Sequence, residues 1–200
     1  MPAKENQAVE LPELVIGETT IQIIGTTPLI VHRFSDDSIE KIQEKQSGAA
    51  KLTKAPRDPQ REFEQAMYML ESGGYGFPAS GIKNAMVSAG MRYGDEVGTR
   101  LWGAFNIPAE LVEIITPNQP KMRVDHVVIG MATGEVRYRP QFMPWSMRIP
   151  FNFSARHITP DRLINLLRLA GFCIGIGDWR VEKKGTYGQF TVGDIFGPGK

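Results

Sequence analysis

The sequence has little cysteine, little histidine and almost no net charge. Its single cysteine, Cys173, lies in the apolar segment 169–174, so an internal disulfide framework is excluded and an intracellular protein is expected. The three histidines are far apart and lack the spacing that a zinc site needs. Lys and Arg number 23 against 22 Asp and Glu, which excludes a bulk polycation that coats nucleic acid or anionic membranes.

Long apolar runs are also missing. No stretch approaches the roughly 18 residues that span a bilayer, and the N-terminus is acidic where a secretory signal would be basic and then apolar. We therefore expect a cytoplasmic protein with no membrane partner. At 42% hydrophobic the 200 residues can bury a sizeable core, and 21 Gly with 14 Pro favour strands, turns and loops over a helix bundle.

The balanced charge is divided into blocks along the chain. Residues 1–18 carry one Lys against four Glu and are interpreted as a flexible acidic arm before a single domain over 19–200. Segments 41–61 and 121–156 each carry six basic and two acidic residues, whereas 62–120 carries three basic and seven acidic. Such blocks indicate a surface with one basic and one acidic face, although solvated charge runs would give the same pattern.

The first half of the chain predicts a strand at 20–25, followed by a turn and a helix that starts at Ser35 as N-cap. An irregular basic insertion follows at about 36–62, since Gly and Pro interrupt it and no apolar period is present. A second helix is predicted over 81–91 with Ser80 as its N-cap.

The second half predicts several strands and one well-signalled helix. Thr159 is the expected N-cap of that helix, Pro160 its first residue and Gly171 its stop. The expected strands lie at 111–115, 124–129, 136–138, 147–153 and 189–192. Because the middle strands have no helices between them, the order favours an α+β fold, a ferredoxin-like (RRM-like) βαββαβ core with the basic insertion.

Two segments have the chemistry to bind phosphate. A helix that begins at Ser80 presents free backbone N–H groups, and Lys83 lies one turn further along. In the segment 175–188, four glycines permit close approach of the main chain to a nucleic-acid strand, and Arg180, Lys183 and Lys184 supply cations. An ordinary capped helix and a plain flexible hairpin are the alternatives.

Further candidates for contact with nucleic acid lie elsewhere in the chain. Arg137 and Arg139 alternate on one predicted strand and so share a face. Other cations lie beside the first turn and in the insertion: Arg33, Lys51, Lys54 and Arg57. Five aromatic residues near these segments could stack on bases or belong to the core: Tyr75, Phe77, Trp102, Trp179 and Tyr187.

Three segments together resemble the RNA-binding RAMP proteins that form the backbone of CRISPR effector complexes in antiviral defence. Segment 21–29 (IQIIGTTPL) is similar to their opening strand and Pro-Leu turn. Segment 76–85 (GFPASGIKNA) resembles the motif at the start of their first conserved helix. Segment 175–190 (GIGDWRVEKKGTYGQF) resembles their glycine-rich basic loop.

The resemblance implies a subunit that binds single-stranded RNA, or DNA, and assembles head to tail with copies of itself and possibly with other effector subunits. It also implies that the basic insertion is a projecting thumb. The chain is short for the family and lacks a second domain, so a stand-alone or virus-encoded relative is one interpretation.

Some members of that family cut RNA with an acidic loop residue and a divalent metal, and Asp36 and Asp37 are the only catalytic candidates of that kind. Both also suit the first turn of a helix capped by Ser35. No catalytic triad or phosphate-binding GxxxxGK[ST] motif is present, so we expect no cofactor, no resident metal and binding without catalysis. The alternatives are a metal-dependent ribonuclease and a structural virion or assembly protein.

Overall fold

The computed structural model describes residues 13–34, 39, 43, 46, 47, 57–129 and 133–197. Its strands, in chain order, are β1 (Ile16–Gly25), β2 (Leu29–Ile30), β3 (Tyr68–Met69), β4 (Tyr75–Pro78), β5 (Phe105–Asn106), β6 (Leu111–Glu113), β7 (Lys121–Ile129), β8 (Thr133–Phe142), β9 (Ser146–Ser154) and β10 (Phe190–Phe196). The described α-helices are α1 (Pro59–Gln65), α2 (Ala79–Tyr93), α3 (Gly98–Ala104) and α4 (Pro160–Leu169). None of these helices is long and apolar enough to cross a membrane.

A four-stranded sheet in the order β10-β1-β9-β5 forms the centre of the fold, and all its neighbouring strands are antiparallel. α2 lies between β1 and β5 in the chain, and α4 lies between β9 and β10. The element order is therefore βαββαβ once the inserted elements are set aside, and the first strand is central. This confirms the predicted α+β class with a ferredoxin-like core.

One face of this sheet is buried beneath α2 and α4. Alternation along β1 turns Ile21 and Ile23 inward, opposite Ile149 and Met147 of β9. The two helices contribute further buried side chains to the same cluster, including Met86, Leu163 and Leu167. Each such side chain contributes about 1.5–3 kcal/mol when it leaves water, so this layer holds the elements that position the site.

Two smaller sheets come from the inserted segments. β2, β8 and β7 form one, in which β7 and β8 are a long hairpin that pairs over 121–141. β3, β4 and β6 form the other. The strands predicted at 111–115, 124–129 and 136–138 therefore exist, but they lie outside the central sheet.

The start of α2 differs from the prediction. Ala79 is the first helical residue and follows Pro78 of β4, so Ser80 lies inside the first turn and makes no capping hydrogen bond. The Ala79 N–H donates instead to the carbonyl of Glu110, at 2.9 Å. A side-chain cap is unnecessary there because β4 runs directly into the helix and a neighbouring backbone carbonyl accepts the first N–H.

The start of α4 confirms the prediction, but its end does not. Thr159 accepts a hydrogen bond from the Arg162 N–H, and Pro160 is the first residue. Gly171 does not stop the helix, which continues as a π-helical turn, Ala170–Ile174. A Cβ at Gly171 would collide with the Phe190 carbonyl, so this glycine permits close packing on β10. The chain leaves the helix at Gly175, where φ is 74°.

Two elements begin inside segments that were predicted to be irregular or flexible. β1 begins at Ile16, inside the range 1–18 assigned to the arm, because Gly17 leaves room for the Phe153 ring against the backbone. α1 begins at Pro59, inside the insertion predicted to be irregular, and Asp58 caps it by accepting from two backbone N–H groups. The helix start predicted at Ser35 lies outside the described residues, as does most of the insertion before Arg57; Ile39, Gln43 and Gln46 within it are helical.

Candidate nucleic-acid interface

A groove of about 650 Å³ lies between α2 and residues 175–188, which we call the glycine-rich loop. Ser80 and Asn84 line the groove from the helix, and Asp178, Arg180 and Lys183 line it from the loop. The other walls include side chains from the inserted segments and α3, among them His32, Tyr68, Phe77 and Trp102. The fold thus brings together the two segments whose composition suggested phosphate binding.

Backbone contacts fix the glycine-rich loop against the turn after β1. The Asp178 N–H donates to the Ile30 carbonyl at 2.9 Å, and the Gly188 N–H donates to the Pro28 carbonyl at 2.8 Å. Gly177 has φ 78° and passes so close to Ile30 that a Cβ would strike its carbonyl oxygen. The loop is therefore an ordered wall of the groove.

A buried polar network joins the loop to the β7–β8 hairpin. Arg139 is 5% exposed; its Nη1 donates to Asp125 Oδ2 at 3.1 Å, and its Nε lies 3.2 Å from Asp178 Oδ2. Arg123 donates to the other oxygen of Asp125 at 2.6 Å and to the Tyr187 hydroxyl at 3.0 Å. The network ties both arms of the loop to one face of the hairpin.

The two carboxylates of the loop differ in what surrounds them. Burial raises the pKa of Asp178, but the hydrogen bond from His32 and the positive charge of Arg139 outweigh it, so this pKa lies below its usual range. Burial also opposes ionisation of Glu182, and contacts with Arg180 and Arg92 lower its pKa below the usual range. Both groups are therefore ionised at neutral pH.

The predicted phosphate site at the start of α2 is only partly assembled. Ser80 is exposed and lines the groove. Lys83 lies beside the groove, with its Nζ 5.3 Å from the Trp102 ring centroid and 5.7 Å from that of Phe105. Burial lowers the pKa of Lys83. Its ammonium group is held on an aromatic surface that continues into the groove through Trp102.

The predicted cations of the loop separate into paired and exposed groups. Arg180 donates twice to Glu182 and once to the Gly177 carbonyl, so its charge is used within the protein. Lys183 and Lys184 are exposed and form no ion pair with any described residue. These two lysines are the cations of the loop that remain available to a ligand.

The remaining predicted cations that the structure describes make contacts within the protein. Arg57 makes a bidentate pair with Glu62, and its guanidinium also donates to the Val136 carbonyl. Arg137 is partly exposed and paired with Glu135 at 3.3 Å, and Arg33 adjoins Tyr68.

The prediction that Arg139 faces nucleic acid needs correction, because this side chain is buried in the network described above. The alternation of the strand correctly placed Arg137 and Arg139 on one face. It could not show that the glycine-rich loop, through Asp178, covers Arg139.

Four predicted residues lie outside the described residues: Lys51, Lys54, Asp36 and Asp37. Within the described ranges, no three His, Cys, Asp or Glu side chains come close enough together to hold a metal ion.

Among the aromatic candidates, only Trp102 and Trp179 present much ring surface, with exposures of 47% and 40%. Phe77 is buried, and Tyr75 packs edge-on against Phe142. The ring of Tyr187 lies under the Arg123 guanidinium, 4.8 Å from its centroid. Trp102, which lines the groove, is the better placed of the two exposed rings for stacking on a base.

Sequence reasoning missed the residues that complete the groove from other elements. His32 and Tyr68 line it, Arg92 pairs with Glu182, and Arg123 holds Tyr187. None belongs to a motif, and each comes close only through contacts between residues distant in the sequence. Chemically, the lining of the groove includes an exposed ammonium group, that of Lys183, and an aromatic ring, that of Trp102, which suits a flexible polyanion that carries bases.

Comparison with solved structures identifies 67 chains with a significant match. One is a chain in a cryo-EM structure of the Type III-B Cmr-beta bound to cognate target RNA; it has a TM-score of 0.55 and 12% sequence identity, over 90% of this chain and 60% of that one. Another is the crystal structure of Cmr6 from Pyrococcus furiosus, with a TM-score of 0.47 and 10% identity over 90% of this chain and 99% of that one.

By sequence, the chain matches no protein-family model and no curated protein. At such identities the structural similarity concerns the fold alone: this chain shares its fold with the matched Cmr-beta chain. The chain spans 60% of the length of the Cmr-beta chain that it matches.

Proposed function

We propose that this chain binds single-stranded RNA in the groove between α2 and the glycine-rich loop, as a subunit of a CRISPR effector complex. The observation that carries the proposal is the groove itself, which is lined by the exposed Lys183 and by Trp102, with the exposed Lys184 next to Lys183 in the chain. The fold supports it, because the similar Cmr-beta structure is bound to cognate target RNA. Phosphates pair with the lysines, and one base stacks on the tryptophan.

The binding test measures the affinity of the protein for a fluorescently labelled single-stranded RNA by anisotropy at several salt concentrations. The dissociation constant rises steeply with salt, because each neutralised phosphate of a single strand contributes about −0.7 to the slope of log affinity against log salt. Absence of binding at about 50 mM salt would contradict the proposal.

Single substitutions locate the interface. Lys183→Gln and Lys184→Gln each remove one exposed ammonium group, so each lowers the affinity and flattens the salt slope by about 0.7. Arg156→Gln is the matched control, because Arg156 is also an exposed cation. It follows Ser154, which pairs with the first residue of β1, whereas Gly25 at the other end of β1 pairs with Phe190, just after the glycine-rich loop. Equal effects of all three substitutions would assign the binding to general charge and not to this groove.

A substitution of Trp102 tests the proposed stacking of a base on its ring. Trp102→Leu keeps an apolar side chain but removes the flat ring, and loss of one base stack weakens binding by about 1–3 kcal/mol, or roughly 5- to 150-fold. The partly exposed Trp179 serves as the control, because it is outside the groove lining. An affinity that falls for Trp179→Leu and not for Trp102→Leu would place the bases elsewhere.

Assembly is the second part of the proposal. We expect copies to bind head to tail along the strand, with the basic insertion at 36–62 as the overlapping thumb and with other effector subunits at the ends. The alternation of basic and acidic blocks along the chain supports such stacking. Native mass spectrometry on RNAs of increasing length tests it: the number of bound copies rises in steps with length, whereas one copy per RNA at every length refutes it.

A further inference from the structure

The charges of the groove are unevenly distributed. The exposed Lys183 and Lys184 lie on the loop, whereas the carboxylate of Asp178 lines the groove and is 37% exposed. A phosphate therefore finds attraction at the lysines and repulsion beside Asp178. The strand can enter only if a neutral part of the nucleotide faces the carboxylate.

Asp178 keeps acceptor capacity that no described residue uses. Its Oδ2 faces Arg139 Nε at 3.2 Å and His32 Nδ1 at 3.5 Å, and no described residue makes a hydrogen bond to its Oδ1. An ionised carboxylate only accepts hydrogen bonds, and its two oxygens together accept about four. The environment of Asp178 also favours the ionised form, since His32 and Arg139 hold its pKa low.

Glu182 provides the contrast within the same groove. Its Oε2 pairs with Arg180 at 2.8 Å, and its Oε1 pairs with Arg92 at 3.1 Å. Both oxygens are thus committed to the protein, and the side chain that carries them is only 11% exposed. Asp178 is the carboxylate that still has an oxygen to offer to a ligand.

We propose that Asp178 is a specificity-determining residue, whose free carboxylate oxygen accepts a hydrogen bond from a neutral donor of the bound nucleotide. This inference rests on the proposed function. The donor is either the ribose 2′-hydroxyl, in which case the groove selects RNA over DNA, or an N–H of a base, in which case it selects among bases. Hydrogen bonds to charged groups are the stronger ones, so loss of this bond weakens binding by about tenfold or more.

The first experiment uses the unaltered protein and changes the oligonucleotide. One sequence is prepared as RNA and as its 2′-deoxy and 2′-fluoro forms; neither modified form can donate from the 2′ position. A 2′-hydroxyl contact gives about tenfold weaker binding of both. For a base contact the three forms bind alike, and affinity falls instead when inosine replaces guanosine or 3-methyluridine replaces uridine. Equal affinity for every oligonucleotide would overturn the proposal.

The second experiment assigns the preference to Asp178. Asp178→Asn retains the shape and removes the charge; because Arg139 Nε attracts the amide oxygen, an NH2 group takes the place of the free Oδ1 and cannot accept. The variant therefore abolishes whichever preference the first experiment finds, whereas the control Glu182→Gln retains it. A preference that persists unchanged in Asp178→Asn overturns the assignment. Should that variant not fold, Asp178→Ala removes both oxygens while Arg139 keeps its pair with Asp125, and an unchanged preference there has the same meaning.

The failure of this inference is distinguishable from the failure of the proposed function. If the unaltered protein binds no nucleic acid at about 50 mM salt, the proposed function is wrong and the inference falls with it. If it binds with the expected salt dependence but ignores every donor, only the role of Asp178 is wrong.

Discussion

The buried Arg139 offers the sharpest test of how the site is held together. In Arg139→Met the side chain keeps most of its length and loses its charge, which leaves Asp125 buried without its 3.1 Å partner. Removing one partner of a buried ion pair costs about 3–5 kcal/mol. Asp125 retains Arg123 at 2.6 Å, so we expect the lower end, about 3 kcal/mol.

For a domain of this length each kcal/mol lowers the melting temperature by about 2–4 °C, so Arg139→Met melts about 6–12 °C lower. The assay is thermal unfolding followed by circular dichroism or calorimetry. Arg137→Met is the matched control, because Arg137 shares the strand and face but is partly exposed and paired only with Glu135 at 3.3 Å. Such a pair contributes about 1 kcal/mol or less. Equal shifts for the two variants would refute the assignment of the network to the interior.

Three further predictions test the fold and the loop. Thr159→Ala removes a capping bond and costs about 1 kcal/mol, whereas Ser80→Ala costs less than half of that because Ser80 caps nothing; thermal melts compare the two. Gly177→Ala costs at least about 1–2 kcal/mol from its positive φ alone and also displaces the loop from the Ile30 carbonyl, so both melting temperature and RNA affinity fall. The pKa of Asp178 is lower in the folded chain than in the unfolded chain, so its ionised form stabilises the fold above about pH 4. This stabilisation is lost as the pH falls through the folded-state pKa. In Asp178→Asn the free energy of unfolding therefore depends less steeply on pH below about 4, which acid unfolding measures.

Periodicity and capping signals predicted the central elements because those signals are local. The alternation in β9 and the Thr159-Pro160 start of α4 each depend on neighbouring residues, and both appear where expected. Gly171 was misinterpreted because glycine ends helices and also permits close packing, and only the position of β10 shows which of the two applies.

The sequence predicted which segments form the candidate site but not which of their charged side chains are paired within the protein. Composition identified the start of α2 and the glycine-rich loop, and the fold places them on opposite walls of one groove. Sequence could not show that Arg180 is neutralised by Glu182, or that Arg139 is covered by Asp178. Pairing of that kind depends on contacts across the fold, so counting cations along the chain overestimated the charge available to a ligand.

The hydrogen bonds that anchor the glycine-rich loop join the beginning of the domain to its end. Pro28 accepts from Gly188, and Ile30 accepts from Asp178, so the chain must be synthesised through Gly188 before this wall of the groove can close. Contacts between such distant residues form late and slowly, because a long loop must be ordered first. During synthesis on the ribosome, the nascent chain therefore has no completed groove until Gly188 has emerged, and the proposed binding of RNA cannot begin before that point.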